Sequence, residues 1–256
     1  MCGRYATTRS SADLSSIFEA ADDTGASLTA DYNVAPTDPV PIVRLSRRAG
    51  ADAGDDTDAE AAVGRVLTVA RWGLVPPWAS DARSGARMIN ARAETVATSR
   101  AFAPSFARRR CLVPADGWYE WVRPAGGRRA GAQAYFMASA SGQVLAFAGI
   151  WSVWGRDEPL ITSSVITTVA DGRLADVHDR MPLLLPPDRW SEWLDPDVDG
   201  SASLAPPDRD FLDGIEIRPV GPAVGNVRNN GVELVQRVTP RGAMNGPDDA
   251  GQSVLF

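Results

Sequence analysis

Lysine is absent: all 26 basic side chains among the 256 residues are arginine. Schiff-base enzymes ordinarily recruit a desolvated lysine amine, so any imine chemistry here falls to the chain's α-amine. Histidine occurs once, at His178, and cysteine twice, at Cys2 and Cys111. That supply cannot build the usual Cys/His spacing of a zinc site or a disulfide framework, and neither a metal nor a soluble cofactor is expected. No apolar run approaches 18 residues and no secretory hydrophobic segment is present. Both absences point to a cytoplasmic protein with no membrane contact.

The formal charge of −6 argues against a uniformly basic nucleic-acid binder, but the charge is unevenly spread. Residues 49–62 hold five acids and no arginine, and the tail carries Asp248 and Asp249 against Arg241. Residues 81–129 hold ten arginines against Asp81, Glu94, Asp116 and Glu120. A basic patch on a nearly neutral core, with solvated acidic segments set apart, is the electrostatic footprint of a phosphate-binding surface.

With 44% hydrophobic positions, the chain can bury the core of one large domain. We place that domain at 1–238, with a flexible acidic insertion at 46–62 and a disordered tail at 239–256, where hydrophobic periodicity is lost. Apolar alternation predicts strands at Val40–Leu45, Arg65–Trp72, Cys111–Pro114, Gly117–Val122, Tyr135–Ala138, Val144–Trp151, Ile161–Ala170, Ile215–Val220 and Val232–Val238. Short helices are expected where Ser10 or Ser11 caps Leu14, Ile17 and Phe18, at Ser99–Arg110 and at Asp188–Leu194. Asp31–Thr37 reads as a turn. The order is mainly β, with no internal repeat and no call for an obligate oligomer, so a monomer is expected.

Met1 precedes a small residue, so its removal would leave Cys2 with a free α-amine and a thiol. These groups titrate near about 7.7–8.0 and about 8.5 in model peptides, so both have reactive fractions at neutral pH. A 1,2-aminothiol attacks an aldehyde amine-first to an imine, and sulfur then closes a thiazolidine.

Four segments carry the remaining chemistry: Cys2-Gly3-Arg4-Tyr5, Asn90-Ala91-Arg92-Ala93-Glu94, Gly117-Trp118-Tyr119-Glu120-Trp121 and His178-Asp179-Arg180-Met181-Pro182. With YNVAPT at 32–37, RWGLVPPW at 71–78, FAGIW at 147–151 and NVRNN at 226–230, they resemble the SOS-response-associated peptidase (SRAP) family from Cys2 to about Val238. The resemblance implies an α+β fold around a barrel-like, bifurcated antiparallel sheet with short helices at its periphery. It also implies capture of abasic sites in single-stranded DNA as a thiazolidine crosslink through Cys2, during replication or the SOS response. The family's older name implies a peptidase activity.

Opening the closed hemiacetal of an abasic sugar requires proton transfer. Glu120, between Trp118 and Trp121, is the candidate acid–base, because aromatic neighbours would desolvate its carboxyl and raise its pKa. His178 is assigned proton transfer to the sugar hydroxyl or imine, and Asn90 a grip on the α-amine or a sugar oxygen. Arg92, Arg180 and Arg4 suit phosphate contacts. Trp72, Leu74, Pro77 and Trp78 are candidates for a wedge or platform on which bases stack.

Three other readings stay open: an N-terminal-nucleophile amidohydrolase, a peptidase built on Cys2, His178 and Asn90, and a non-catalytic reader of modified bases. The tail ends Gln252-Ser253-Val254-Leu255-Phe256. It resembles the Gln-x-x-Leu-Phe peptides that dock on the bacterial sliding clamp, with Gln252 making polar contacts and Leu255 and Phe256 filling the pocket.

Overall fold

The computed structural model describes residues 3–47, 63–122 and 131–240. Of the insertion expected at 46–62, residues 46 and 47 complete the strand Pro39–Arg47, and residues 48–62 lie outside the described residues, as do 241–256 of the tail and Cys2. In chain order the strands are β1 (Tyr5–Thr7), β2 (Ala21–Asp22), β3 (Asp31–Val34), β4 (Pro39–Arg47), β5 (Val63–Trp72), β6 (Asn90–Arg92) and β7 (Arg110–Ala115). They continue with β8 (Gly117–Val122), β9 (Gln133–Ser139), β10 (Leu145–Trp154), β11 (Leu160–Val169), β12 (Arg180–Pro182) and β13 (Ile215–Val220). The α-helices are α1 (Ser11–Phe18), α2 (Ala103–Arg108), α3 (Trp190–Leu194) and α4 (Arg209–Asp213).

Five strands close on themselves. The antiparallel path β11-β10-β7-β4-β5 returns to its start because β5 also pairs with β11, in parallel, at Arg71↔Thr162 and Trp72↔Ser163. The sequence of each strand explains why the ring is stable. Alternate residues such as Val40 and Ile42, Ala70 and Trp72, Cys111 and Val113, and Leu145 and Phe147 share one buried cluster, which fills the lumen. Their neighbours Val43, Leu67, Leu112, Ala146 and Ile166 join a second cluster with Leu14, Phe18, Phe106, Trp190 and Trp193. Both faces are thus dry, which is why these strands read as nearly continuous apolar runs.

A second sheet, ordered β13-β9-β8-β1-β3, packs against the barrel. Tyr5, Trp118 and Met137 from one of its faces belong to the lumen cluster. Ala6, Tyr119 and Phe136 from the other are covered by Val224 and Leu234. The result is an α+β fold, mostly antiparallel, with a few short helices.

Three local expectations change. Asp31–Val34 is the edge strand β3 and not a turn, held by pairing with β1. Val232–Val235 is a 3-10 turn, joined to β13 through the single bridge Val220↔Arg237. Helix α1 is capped by Ser10 as expected, but only Leu14 and Phe18 are buried and Ile17 is 42% exposed.

Candidate functional site

The C-terminal half of β11 gathers the site. On one side β6 pairs with it in parallel, setting Asn90 against Val165 and Arg92 against Thr167. On the other side β12 runs antiparallel, setting Arg180 against Val169. His178 lies just before β12. Glu120 comes from β8 in the second sheet, so the site spans the junction between sheet and barrel.

Glu120 is buried, only 4% exposed. That burial raises its carboxyl pKa, and charge on His178 opposes the rise while Asp179 adds to it. Trp118 shares the face of β8 that turns toward the lumen cluster. Trp121 instead packs with Tyr119 on the opposite face, their rings 6.5 Å apart. Desolvation of Glu120 therefore comes from the Trp118 side, not from both tryptophans as expected.

The His178 ring has a defined tautomer. Nδ1 accepts the Arg180 backbone N–H at 2.9 Å, so the proton of the neutral ring sits on Nε2. Asp179 Oδ1 also lies 2.8 Å from Nδ1, but one lone pair cannot serve as acceptor for the amide and also carry a proton for the carboxylate. We favour the amide contact for the neutral ring, because its donor is fixed by backbone while the Asp179 side chain is 86% exposed. Protonation of the ring would favour Asp179.

The β1–β8 register brings the chain's beginning to this place. Tyr5 pairs with Trp118 and Ala6 with Gly117, and the Tyr119 N–H donates to the Arg4 carbonyl at 3.0 Å. Carried on, the same antiparallel register sets Gly3 opposite Glu120. Tyr5 also meets Trp72 edge to face, 5.1 Å between centroids. The Trp72 indole N–H donates to the Ile89 carbonyl at 2.9 Å, one residue before Asn90. Trp72 thus links the first strand to β6.

The role expected of Trp72 changes accordingly: it is fully buried, as is Leu74, and neither offers a face to a base. The exposed tip of that loop is Pro77-Trp78, with Trp78 51% exposed. Gly73 fixes the loop. Its φ is +124°, and a Cβ there would meet the Gly85 carbonyl oxygen at 2.5 Å, so no larger residue permits this crossing. The Trp154 indole N–H donates to the Ala79 carbonyl at 2.8 Å, and the Arg100 guanidinium stands 5.8 Å from the Trp78 ring centroid.

Among the cations, Arg92 is exposed. Arg180 is not free for phosphate as expected, since its guanidinium forms a two-pronged pair with Glu94 (2.5 and 3.0 Å) and donates to the Thr167 carbonyl at 2.6 Å. Arg4 donates to Asn33 Oδ1 at 2.7 Å and to the Val224 carbonyl at 3.0 Å, which makes it a tie holding β1. Within the Arg108–Arg110 run only Arg110 is buried, against carbonyls including those of Trp193 and Phe106, while Arg109 stands over the Trp151 ring and Arg108 forms an exposed pair with Asp197. The basic surface near the site is correspondingly smaller than the arginine count suggests.

Sequence reasoning missed Asn33. It is buried, its Oδ1 accepts from Arg4, and its Nδ2 donates to the carbonyls of Asn226 and Asn229 at 3.0 and 2.9 Å. Asn33→Ala is expected to cost about 2–3 kcal/mol, because it deprives the half-buried Arg4 of an acceptor and two carbonyls of a donor. Urea unfolding checks this, and Asn33→Asp should recover the Arg4 share alone. The other cysteine is no rival nucleophile: Cys111 is fully buried in the lumen and its thiol pKa is pushed far up by desolvation. No cluster of His, Cys, Asp and Glu among the described residues has the form of a metal site, and none of their helices is long and apolar enough to cross a membrane.

The chain is 34% identical over 251 residues to the abasic site processing protein YedK of Escherichia coli, covering 93% of this chain and all of that one. It is 38% identical over 172 residues to YoqW of Bacillus subtilis, also named an abasic site processing protein, covering 65% of this chain and 74% of the relative. Similarity extends to the rat abasic site processing protein HMCES, 32% identical over 240 residues, which make up 80% of this chain and 64% of the rat protein. Among solved structures, one from Bacteroides thetaiotaomicron shares the fold with a TM-score of 0.74 at 20% identity, covering 93% of this chain and all of its own. The sequence pattern of the SOS response associated peptidase (SRAP) family matches residues 1–227, and the chain belongs to that family.

Proposed function

We propose that this protein processes abasic sites in DNA, capturing them in single strands as a thiazolidine on Cys2. The observation that carries the reading is the β1–β8 register. Extended two residues beyond the Tyr5–Trp118 pair, it sets Gly3 opposite a buried carboxyl of raised pKa, and Cys2 is the next residue along the chain, about 3.8 Å of Cα travel away. The names of the relatives support the substrate.

The chemistry needs few parts. The α-amine adds to the C1′ aldehyde and the carbinolamine loses water to give an imine. The sulfur then adds to the carbon of the protonated imine, whose nitrogen keeps its hydrogen and becomes the neutral ring amine, while the thiol gives up its own proton to a base. Protonated Glu120 supplies the proton that lets hydroxide leave as water, and the resulting carboxylate accepts the thiol proton. His178, with its proton on Nε2, is a donor to the ring oxygen during opening. Asn90 positions the amine or a sugar oxygen.

Arg92 and the Pro77-Trp78 tip supply, respectively, a phosphate contact and a surface for one base. Arg92→Ala is expected to weaken binding of single-stranded DNA and to lower the slope of log K against log salt by about one phosphate, roughly 0.7. Affinity titrations at four salt concentrations measure it. We assign the tail residues Gln252, Leu255 and Phe256 to the sliding clamp, which would concentrate the protein at replicating DNA.

The direct test incubates untagged protein with single-stranded DNA carrying one abasic site and resolves the products under denaturing conditions. A heat-stable adduct whose mass equals protein plus DNA less one water is expected. Its absence with correctly processed Cys2 would reject the proposal, and release of a peptide from the chain without any adduct would favour the peptidase reading.

A further inference from the structure

A cleft of about 910 Å³ lies away from the site, lined in part by Ile17, Leu185, Trp190 and Phe211, with Arg9 and Arg65 at its rim. None of the residues assigned above takes part in it. Ile17 is 42% exposed there, on the short helix α1 whose other large apolar residues, Leu14 and Phe18, are buried. Glu19 and Asp210 also line the opening, so its charges balance and apolar contact decides what fits.

We propose that this cleft is the intramolecular dock of the chain's own last residues, Val254-Leu255-Phe256. The described chain leaves the fold at a fixed point, where the Val238 N–H donates to the Pro219 carbonyl at 2.9 Å, beside the end of β13. The cleft includes Gly214 and Ile215, at the opposite end of the same strand. Five residues of strand separate the two, about 17 Å. Residues 241–256 span up to about 50 Å when extended, and a chain rich in Gly and Asp carries its one apolar triplet at the far end. The reach is ample, and tethering holds the triplet at about millimolar effective concentration. In the docked form Leu255 and Phe256 are withheld from any other partner, so clamp and cleft compete for one peptide. The dock itself does not depend on the clamp or on Cys2 chemistry.

The test uses a fluorescent peptide of residues 244–256 and the full-length L255A/F256A protein, whose own tail has lost its anchor. Saturable binding by anisotropy is expected, at least tenfold weaker for the wild-type chain, whose cleft is filled, and lost when Ile17→Glu is added to the L255A/F256A protein. Three results would overturn the dock: no saturable binding to the L255A/F256A protein, equal affinity for it and the wild type, or indifference to Ile17→Glu. Wild-type protein sedimenting as a dimer that L255A/F256A abolishes would place the tail in a second copy and overturn the intramolecular form.

Discussion

Glu120→Gln is expected to slow adduct formation on abasic single-stranded DNA by about a hundredfold or more at saturating protein, while binding of the DNA changes little and the fold becomes more stable at pH 8. The three effects have one cause. Gln keeps the shape and the hydrogen-bonding capacity of the side chain but can neither give up nor take a proton. The catalytic loss follows directly. The stability gain follows from linkage: burial raises the Glu120 pKa, so between the unfolded and folded values the native protein holds a proton that the unfolded chain has released. Native stability therefore falls as pH rises through that window, and the Gln variant is spared the fall. Charge on His178 opposes part of the rise in the Glu120 pKa. Urea midpoints for both proteins at pH 4 and pH 8 should agree at the lower pH and separate at the higher. A variant that crosslinks at the wild-type rate would remove Glu120 from the chemistry, whatever its stability.

That residue also shows what a sequence can carry. Its burial was legible because a carboxyl inside Gly-Trp-Tyr-Glu-Trp has little water to face, and alternation along a strand is a local property. Which tryptophan desolvates it was not legible, since the answer depends on the lumen cluster claiming one face of β8. The barrel strands were visible for the same reason: dry on both faces, they are written as apolar runs. Their closure through the parallel β5–β11 pair was not, because strands more than eighty residues apart leave no pattern in either one. Trp72 and Leu74 illustrate the limit. An aromatic among prolines and glycines reads equally as a stacking surface or as core, and only the Tyr5 contact and the hydrogen bond to Ile89 decide. Arginine was the most deceptive letter. Arg4, Arg110 and Arg180 sit in motifs or runs that suggest phosphate, yet each spends its guanidinium on the protein itself.

Cys2→Ala is expected to abolish the heat-stable adduct and to leave one that survives denaturation only after borohydride reduction. Alanine still permits removal of Met1, so the α-amine remains and forms the imine, but without sulfur the imine hydrolyses. No other group in the protein can restore the product. Cys111 is sealed in the barrel with its thiol held protonated, and with no lysine in the sequence the α-amine is the only primary amine available. That last point makes the experiment unusually clean, because borohydride trapping cannot be diverted to a surface lysine. An uncleaved N-terminal tag adjoining Cys2 should then eliminate both products, since it converts the amine to an amide and leaves the thiol alone. Trapping that persists in the tagged protein would place the imine elsewhere. A reduction-independent adduct from Cys2→Ala, formed at the wild-type rate, would show that sulfur does not close the ring.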